Sequence, residues 1–282
     1  MYNAGLVLEG GGMRGVYTTG VLDFFLDKGI EFKNCIGVSA GAVHCCSYLS
    51  KQKGRAYHVV VDSINDKRYA STSNLIKTGF FFGKDYNLNI VPKQLFPYDY
   101  EAYANCGSDF YACVTNVETG EAEYQKIEDM DRDIEAIWAS GSLPLMAKLV
   151  PIGDKKYLDG GVADSIPIKK SKDMGFDKNV VILTREAKYR KEPTGSVPLI
   201  RLRYPGYPKI AEAMKNRHIE YNETLEYIEE LESKGEVFVI RPSEPLAIGR
   251  LEKNKERLQE IYKIGYADAE KAYEQMIEYL DK

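Results

Sequence analysis

The sequence predicts an α/β fold with a mostly parallel central sheet. Strand-like and helix-like stretches alternate from the N-terminus to about residue 185, and "NVVILT" at 179–184 is an unbroken apolar run. Parallel strands that are buried on both faces show such runs, and crossover helices cover them. A chain of 282 residues is long enough for one substantial core, or for one core with an appended subdomain.

The first predicted unit is a strand, a glycine-rich turn and a helix. The strand is "GLVLEG" at 5–10, and the helix lies in "GVYTTGVLDFFLDKG" at 15–29, where apolar residues recur at helical spacing. The same order follows in "NCIGVS" at 34–39 and "AGAVHCCSYLSKQ" at 40–52. Two such units in succession are typical of parallel strands joined by crossover helices.

The later elements of the core are less regular. "DFYACVTNV" at 109–117 is rich in β-forming residues, and "DIEAIWASGSLPLM" at 133–146 is predicted to be helical until Pro144. Residues 75–103 are rich in aromatic and turn-forming residues and show no clear period. No internal repeat is visible, so a repeat architecture is not indicated.

The chain is predicted to divide into a core, residues 1–184, and a C-terminal region, residues 185–282. The second part begins with a basic loop or linker at 185–209, which contains seven Lys or Arg and four Pro residues. Two long helical patterns follow and flank one more strand candidate, "EVFVIRP" at 236–242. We expect these helices to cover an edge or one face of the sheet, packed on the core.

Composition indicates an ordinary soluble globular protein and excludes several classes. Hydrophobic residues make up 44% of the chain and charged residues 28%. A net charge of -4 gives no global reason to expect nucleic acid as a partner. The N-terminal "MYNAGLVLEG" lacks the basic start of a signal peptide, and no stretch approaches the roughly 18 apolar residues of a membrane span.

Cysteine usage predicts a cytoplasmic protein, with a secreted route that uses no cleavable signal as the alternative, and we expect neither a metal site nor a cofactor. The five cysteines are Cys35, Cys45, Cys46, Cys106 and Cys113. They form no C-x-x-C pair, and because their number is odd, at least one could not form an intramolecular disulfide. We therefore expect reduced thiols that are mostly small buried side chains. The three histidines are scattered, and neither residue type has the spacing of metal ligands.

The first of three motifs is a glycine loop between the first strand and the first helix. Gly10, Gly12 and Gly15 fit G-x-G-x-x-G, the pattern of a loop that holds the pyrophosphate of a dinucleotide. Backbone N–H groups turned inward before a helix N-terminus suit equally well the oxyanion of an acyl-transfer transition state. The loop alone leaves both interpretations open.

The other two motifs place a serine and an aspartate at strand ends. G-x-S-x-G spans Gly37 to Gly41, with Ser39 at its centre. A β-rich run precedes it and a small-residue helix start follows, which is the context of a sharp turn that presents a serine Oγ. D-G-G spans Asp159 to Gly161 at the end of an apolar strand, and alone it is typical of an ordinary turn.

Together the three motifs resemble the patatin-like phospholipase family. The matching patterns are G-G-G-x-R-G with Arg14, G-x-S-x-G with Ser39, and D-G-G with Asp159. Their order and spacing agree with the family. So does "ASGSLPLMAKLVPI" at 139–152, which resembles the A-S-x-x-x-P segment of that family. The resemblance covers residues 4–184 and is much weaker beyond them.

The resemblance implies a three-layer α/β/α fold and a serine lipid acyl hydrolase, either a phospholipase A-type enzyme or a carboxylesterase. Ser39 would form an acyl-enzyme and Asp159 would activate it directly, without a histidine. The implied oxyanion-hole residues are Gly10, Gly11, Gly12, Arg14 and Gly15. The glycines implied to support the elbow and the dyad are Gly37, Gly41, Gly160 and Gly161.

The implied partners are an acyl-ester or phospholipid substrate and a membrane surface contacted peripherally. The basic segment 185–209 suits anionic headgroups, because each Lys or Arg near such a surface contributes about 1 kcal/mol. A solvated loop is the alternative for this segment. The aromatic segment 75–103 is interpreted as a lid or an acyl groove, or as simple packing on the core.

Several alternatives remain. In a dinucleotide-binding oxidoreductase, Glu31 would bind the ribose, but Arg14 and the two later motifs would have no role. An acyltransferase or thioesterase would use the same elbow with an alcohol or thiol in place of water, whereas a non-catalytic lipid-binding module would need neither Ser39 nor Asp159.

A Ser–Asp–His triad also has to be considered. His44 lies on the helix after the serine, directed away from it if that helix is regular, and His58 lies in an apolar run. His218 follows Asp159 in the order that α/β-hydrolases require, but it lies in a helical pattern, whereas a triad histidine normally lies in a loop after a strand.

Overall fold

A single mixed sheet of eight strands forms the centre of the computed structural model, which describes all 282 residues. The strands are β1 (Tyr2–Leu8), β2 (Phe32–Val38), β3 (Asp109–Asn116), β4 (Ala122–Lys126), β5 (Val150–Ile152), β6 (Lys155–Asp159), β7 (Asn179–Ile182) and β8 (Val237–Ile240). Their order is β5-β6-β3-β2-β1-β7-β8, and β4 pairs with β3. The central strands β3, β2, β1, β7 and β8 are parallel, which confirms the predicted fold class. The antiparallel pairs involve β4, β5 and β6 at one side.

The chain forms ten α-helices. They are α1 (Val16–Asp27), α2 (Ala40–Leu49), α3 (Arg55–Ser63), α4 (Thr72–Thr78), α5 (Tyr100–Ala104), α6 (Ile134–Ser140), α7 (Ile168–Asp173), α8 (Val197–Arg203), α9 (Pro208–Ser233) and α10 (Lys255–Asp281). Short 3-10 turns span Gly12–Gly15 and Gly160–Val162, and a π-helical segment spans Tyr86–Leu95. None of the helices combines the length and apolar character that crossing a bilayer requires.

Helices on both faces of the sheet form the three-layer α/β/α arrangement. Side chains alternate between the faces along a strand. On β1, Leu6 and Leu8 therefore pack in the larger core with α1, α2 and α10, whereas Val7 packs in a separate core with α7 and α9. Because both faces are covered, residues 4–8 of this strand form an unbroken apolar run in the sequence. All five cysteines are buried and free, as predicted.

The C-terminal region extends the same sheet and the same core. β8, predicted from the run at 236–242, pairs with β7 in parallel. α10 packs along α1 at very short range. A Cβ on Gly20 would overlap the Tyr262 carbonyl oxygen, and a Cβ on Gly265 would overlap that of Tyr17. The division of the chain into two parts stays a prediction.

The predicted end of the helix at 133–146 is wrong. α6 ends at Ser140, four residues before Pro144, and Gly141 follows it. The chain then bends toward β6, where the Asp159 N–H donates a hydrogen bond of 2.9 Å to the Ser142 carbonyl oxygen. This tertiary contact takes the place of a further helical turn.

The segment 185–209 was predicted to be a loop or linker, but part of it is helical. Val197–Arg203 form α8, and the side chains of Ile200 and Tyr204 are buried. The Tyr204 hydroxyl donates to the Ala147 carbonyl oxygen over 2.7 Å. The high proline content of the segment argued against a helix. One of these prolines, however, lies at the start of α8, where a helix tolerates proline.

Candidate active site

Ser39 lies in a strained turn between β2 and α2. Its backbone has φ 53° and ψ −121°, a left-handed conformation that non-glycine residues rarely adopt. The flanking glycines make this turn possible. A Cβ on Gly37 would lie 2.6 Å from the Ala42 nitrogen, and a Cβ on Gly41 would lie 2.6 Å from the Leu8 carbonyl oxygen. The turn therefore has the geometry expected of a serine elbow.

Asp159 lies at the end of β6 and contacts Ser39 directly. The Ser39 Oγ donates a hydrogen bond of 2.6 Å to the Asp159 Oδ2. The other carboxylate oxygen, Oδ1, accepts a hydrogen bond of 2.7 Å from the Gly161 N–H. Gly160 is needed because a Cβ there would overlap the Cys113 carbonyl oxygen on β3. The D-G-G motif thus brings its carboxylate against the elbow rather than forming an ordinary exposed turn.

The environment of Asp159 makes its carboxylate a stronger base than a free one. Only 2% of the residue is exposed, and burial raises its pKa. The hydrogen bond from Ser39 and the positive charge of Arg217 oppose this rise without cancelling it. A carboxylate with a raised pKa accepts a proton from a hydroxyl more readily than one with the usual value of about 3.9.

Ser140, at the end of α6, fixes the backbone of the elbow. The Ser39 N–H donates to the Ser140 Oγ over 2.9 Å, and the Ser140 hydroxyl donates to the Cys113 carbonyl oxygen over 2.6 Å. The N–H of Ser39 is therefore already engaged. The sequence placed Ser140 in a family-like segment but assigned it no role, because its partner lies 101 positions away.

The glycine loop presents free backbone N–H groups beside the serine. Those of Gly10, Gly11 and Gly12 donate no hydrogen bond within the chain. A Cβ on Gly10 would lie 3.0 Å from the Ser39 Cβ, so the loop is in direct contact with the elbow. Gly15 lies against α2, where a Cβ would come within 2.7 Å of the Ala40 Cβ. The loop has the free donors that an oxyanion requires.

Arg14 is buried beside the loop without a partner. Only 6% of the residue is exposed, and its Nε has no hydrogen-bond acceptor. Burial lowers its pKa to about 10, and the charge of Arg185 contributes to the shift. At neutral pH the side chain still carries its positive charge, so it adds positive potential near the glycine loop.

No histidine hydrogen-bonds to Ser39 or Asp159. His58 is exposed and contacts Asp62, and His218 on α9 contacts the Lys215 carbonyl oxygen. His44 is buried, and burial lowers its pKa to about 4, so it is neutral at pH 7. No group of three or more His, Cys, Asp or Glu side chains is arranged to hold a metal ion.

The position of Glu31 contradicts the dinucleotide interpretation. This residue precedes β2 and lies at its amino end, whereas the glycine loop follows the carboxyl end of the neighbouring parallel strand. The candidate ribose-binding acid is therefore at the opposite edge of the sheet. It forms an ion pair of 2.5 Å with Lys51.

A large apolar cavity opens beside Ser39. Its volume is about 830 Å³, within the range of about 300–1,000 Å³ that is typical of ligand sites. Its wall includes side chains from the aromatic segment 75–103 and from α6. Examples are Phe80, Phe82, Val91, Tyr98 and Trp138. That segment therefore lines a cavity as well as packing on the core.

The fold and the site define a three-layer α/β protein with a serine elbow and a buried aspartate beside it. A family model described as "Patatin-like phospholipase" matches residues 6–170, more than half of the chain. The chain therefore belongs to the patatin-like phospholipase family, and by class it is a hydrolase that acts on lipid esters. A second model, described as a domain of unknown function (DUF6363), matches residues 207–281.

Two kinds of relatives are similar to this chain. "Uncharacterized protein YjjU" of Escherichia coli is 27% identical over 266 residues, which cover 92% of this chain and 74% of that protein. "Lysophospholipase nte1" of Aspergillus terreus is 26% identical over 182 residues, which cover 62% of this chain but only 11% of that protein. Among solved structures, VipD from Legionella pneumophila aligns with a TM-score of 0.47 at 12% identity, covering 100% of this chain and 67% of that one.

Proposed function

We propose that the chain is a serine lipid acyl hydrolase that works through an acyl-enzyme on Ser39. The observation that carries this proposal is the 2.6 Å hydrogen bond from the Ser39 Oγ to the Asp159 Oδ2, at the wall of a large apolar cavity. A nucleophile within hydrogen-bond reach of its base is the arrangement that covalent acyl transfer requires. The patatin-like family consists of hydrolases that act on lipid esters, and this class agrees with the proposal.

The residues support a two-step reaction. Asp159 accepts the hydroxyl proton as the Ser39 Oγ attacks the ester carbonyl carbon, and the free N–H groups of Gly11 and Gly12 stabilise the oxyanion. The alcohol leaves with the proton from Asp159, and the acyl group remains on Ser39. Water then attacks the acyl-enzyme, loses a proton to Asp159 and releases the fatty acid, after which the serine regains its proton.

The cavity supports an apolar acyl chain as the group transferred to Ser39. The elbow serine and the aromatic wall line the same 830 Å³ space. An acyl chain bound there removes apolar surface from water, which contributes about 25 cal/mol per Å². The aromatic segment 75–103 would therefore form the acyl groove.

Peripheral contact with a lipid surface is supported by α8. Leu199 and Leu202 are 58% and 79% exposed, and basic side chains, Arg201 and Arg203, lie between and beside them. Apolar and basic residues together suit an anionic membrane surface. Sedimentation with anionic vesicles tests this contact, and a protein that stays in the supernatant contradicts it.

The central test combines a fluorophosphonate probe with a panel of acyl esters. We expect the probe to label Ser39, identified by peptide mass spectrometry, and we expect free fatty acid from phospholipid or lysophospholipid substrates. Added alcohol and thiol acceptors distinguish hydrolysis from acyl transfer, because a transferase would give a new ester or thioester instead of fatty acid. Absence of labelling would remove the acyl-enzyme from the mechanism.

Gly12→Ala is expected to lower kcat by about two to three orders of magnitude. Gly12 has φ +58°, and a Cβ would lie 2.8 Å from the Arg250 carbonyl oxygen, so the loop must shift and displace an oxyanion donor. KM should change less, because the donors meet charge that develops only in the transition state.

The matched control for this variant is Gly29→Ala. Gly29 has φ +64° but open space around it, so it has the same backbone strain away from the site. Equal losses of kcat in the two variants would indicate general destabilisation. An effect of Gly12→Ala on KM alone would indicate that the loop binds a ground-state group.

A further inference from the structure

A second, polar pocket adjoins Ser39, and its wall is strongly cationic. It shares Gly12, Ser39, Leu143 and Arg250 with the apolar cavity, so the two spaces meet at the serine. The cationic side chains that line it are Arg14, Arg185, Lys191, Arg217 and Arg250. Gly10, Gly11, Gly12 and Asp159 line it too, so the pocket includes the proposed oxyanion hole, and its volume of about 20 Å³ is room for one oxygen-sized group.

The two carboxylates in this pocket do not neutralise these five cations. No cation of the set lies within ion-pair distance of any carboxylate in the chain. Glu9 accepts hydrogen bonds of 2.6 Å from the Tyr221 hydroxyl and from the Thr184 N–H. Asp159 is engaged by Ser39 and Gly161. Positive charge therefore exceeds negative charge in the pocket.

Several of the cations also lack hydrogen-bond acceptors. The Nε atoms of Arg14 and Arg185 are buried and unpartnered. The Lys191 Nζ lies 3.9 Å from the centre of the Tyr221 ring and contacts no carboxylate. Burial, together with the nearby charge of Arg217, lowers the pKa of Lys191 to about 7. Arg14 is buried, Arg185, Lys191 and Arg217 are half-buried, and of these four only Arg217 has protein acceptors, the Gly161 carbonyl oxygen and the Ser165 Oγ. Cations withdrawn from water without a counter-ion are costly, so this arrangement is the one expected of a site that receives an anion.

We propose that this pocket binds the phosphate group on the alcohol side of the substrate. The proposal rests on the proposed function, in which the acyl chain extends from Ser39 into the apolar cavity. The alcohol part of the ester must then lie outside that cavity, and the cationic pocket is the other space that Ser39 lines. Guanidinium groups suit phosphate oxygens by charge and by their planar donor geometry.

The size of the pocket restricts how the phosphate binds. A space of about 20 Å³ holds one oxygen, which is the ester oxyanion in the proposed reaction, so the phosphate would lie beside it, against the cationic side chains. Arg250 lines the pocket with an exposed side chain that has no hydrogen-bond partner, so it is free to adjust. The substrate class is therefore an acyl ester with a phosphate close to the scissile bond, as in a lysophospholipid.

The same geometry gives the C-terminal region a role in specificity. Arg217 and Arg250 lie in the part matched by the domain of unknown function, and Arg185 and Lys191 come after the patatin-like match. Four of the five cations thus come from outside the patatin-like match, whose motifs supply Ser39. The C-terminal region would select the phosphate while the core carries out acyl transfer.

The kinetic test compares two esters with the same acyl chain. Palmitoyl lysophosphatidic acid carries a phosphate, and monopalmitoylglycerol does not. We expect Lys191→Gln and Arg185→Gln each to lower the ratio of their kcat/KM values by about tenfold, the loss of one charge-assisted hydrogen bond. Lys188→Gln is the matched control, since it removes the same charge from an exposed site in the same segment and should leave the ratio unchanged.

A binding test separates this proposal from the proposed function. In Ser39→Ala protein, calorimetric titration with glycerol 3-phosphate should show binding that Lys191→Gln weakens about tenfold and Lys188→Gln does not. If no ester is hydrolysed but this binding pattern holds, the hydrolase proposal fails and the anion pocket stands. If neither Lys191→Gln nor Arg185→Gln weakens binding, the pocket assignment is wrong. If inorganic phosphate binds as well as glycerol 3-phosphate and the two esters react equally, the pocket holds free phosphate, and the substrate assignment is overturned.

Discussion

Ser39→Ala is expected to abolish both ester hydrolysis and fluorophosphonate labelling, with kcat falling by about 10⁵-fold or more. The Oγ is the atom that forms the acyl-enzyme, and no other hydroxyl hydrogen-bonds to the Asp159 carboxylate. The glycine loop remains, so a small residual rate above that of water is the most that the site can retain. Initial rates on the ester panel and active-site titration with the probe measure the effect.

The fold of this variant is expected to survive. Alanine keeps the Cβ of Ser39 and the same backbone conformation, and the N–H bond to Ser140 does not involve the lost atom. Circular dichroism and a thermal melt check this point. Ser73→Ala, an exposed serine away from the site, is the control for the substitution itself. Turnover near that of wild type in a folded Ser39→Ala protein would remove Ser39 from the mechanism.

Asp159→Asn is expected to lower acylation by about 10³- to 10⁴-fold with little change in shape. The amide oxygen can still accept from the Gly161 N–H, and the amide NH₂ can donate to the Ser39 Oγ, so both positions stay hydrogen-bonded. The base is lost, however. Single-turnover acylation kinetics with a chromogenic ester measure this step separately from deacylation.

Non-additivity distinguishes a dyad from a triad. Residues that act as one unit give losses that do not sum, so Ser39→Ala combined with Asp159→Asn should be hardly worse than Ser39→Ala alone. His58→Ala and His218→Ala should each retain most of the activity, because both side chains have other contacts. A loss in His218→Ala as large as that in Ser39→Ala, in a folded protein, would contradict the dyad.

Asp159→Asn should also change the pH dependence of stability. The pKa of Asp159 is raised in the folded state, so folding favours the protonated carboxyl. Its contribution to stability is therefore present at low pH and is lost as pH rises from the unfolded pKa through the folded one. Asparagine has no such loss. The variant should gain stability relative to wild type over that window, as measured by urea unfolding at acid and neutral pH.

The sequence predicted the parts of the site that depend on local chain geometry. Ser39, Asp159 and the glycine loop each lie at a strand end, and short motifs with glycines at fixed offsets specify such turns. The parallel centre of the sheet was also predictable, since buried strands are unbroken apolar runs. In these places local preference and tertiary structure agree.

The parts that the sequence did not reveal depend on contacts between distant residues. Ser140 supports the elbow only because α6 ends early and its hydroxyl reaches β3. Arg217 lies in a largely acidic helical pattern, where nothing marks it as different from a solvated charge. In the sequence Arg185 and Lys191 are only two charges of a basic segment that suits either a membrane surface or a solvated loop, and the fold is needed to show that both line a pocket beside Ser39.

The close packing of α1 against α10 has a consequence for how the chain folds. Tyr17 and Asp268 are hydrogen-bonded although they lie 251 positions apart. The larger core therefore cannot be completed until the chain between them has been made, and closing so long a loop is slow. Until then the apolar face of α1 stays exposed and prone to aggregation. Refolding of the whole chain should accordingly depend strongly on protein concentration, and a chaperone that shields α1 should improve the yield.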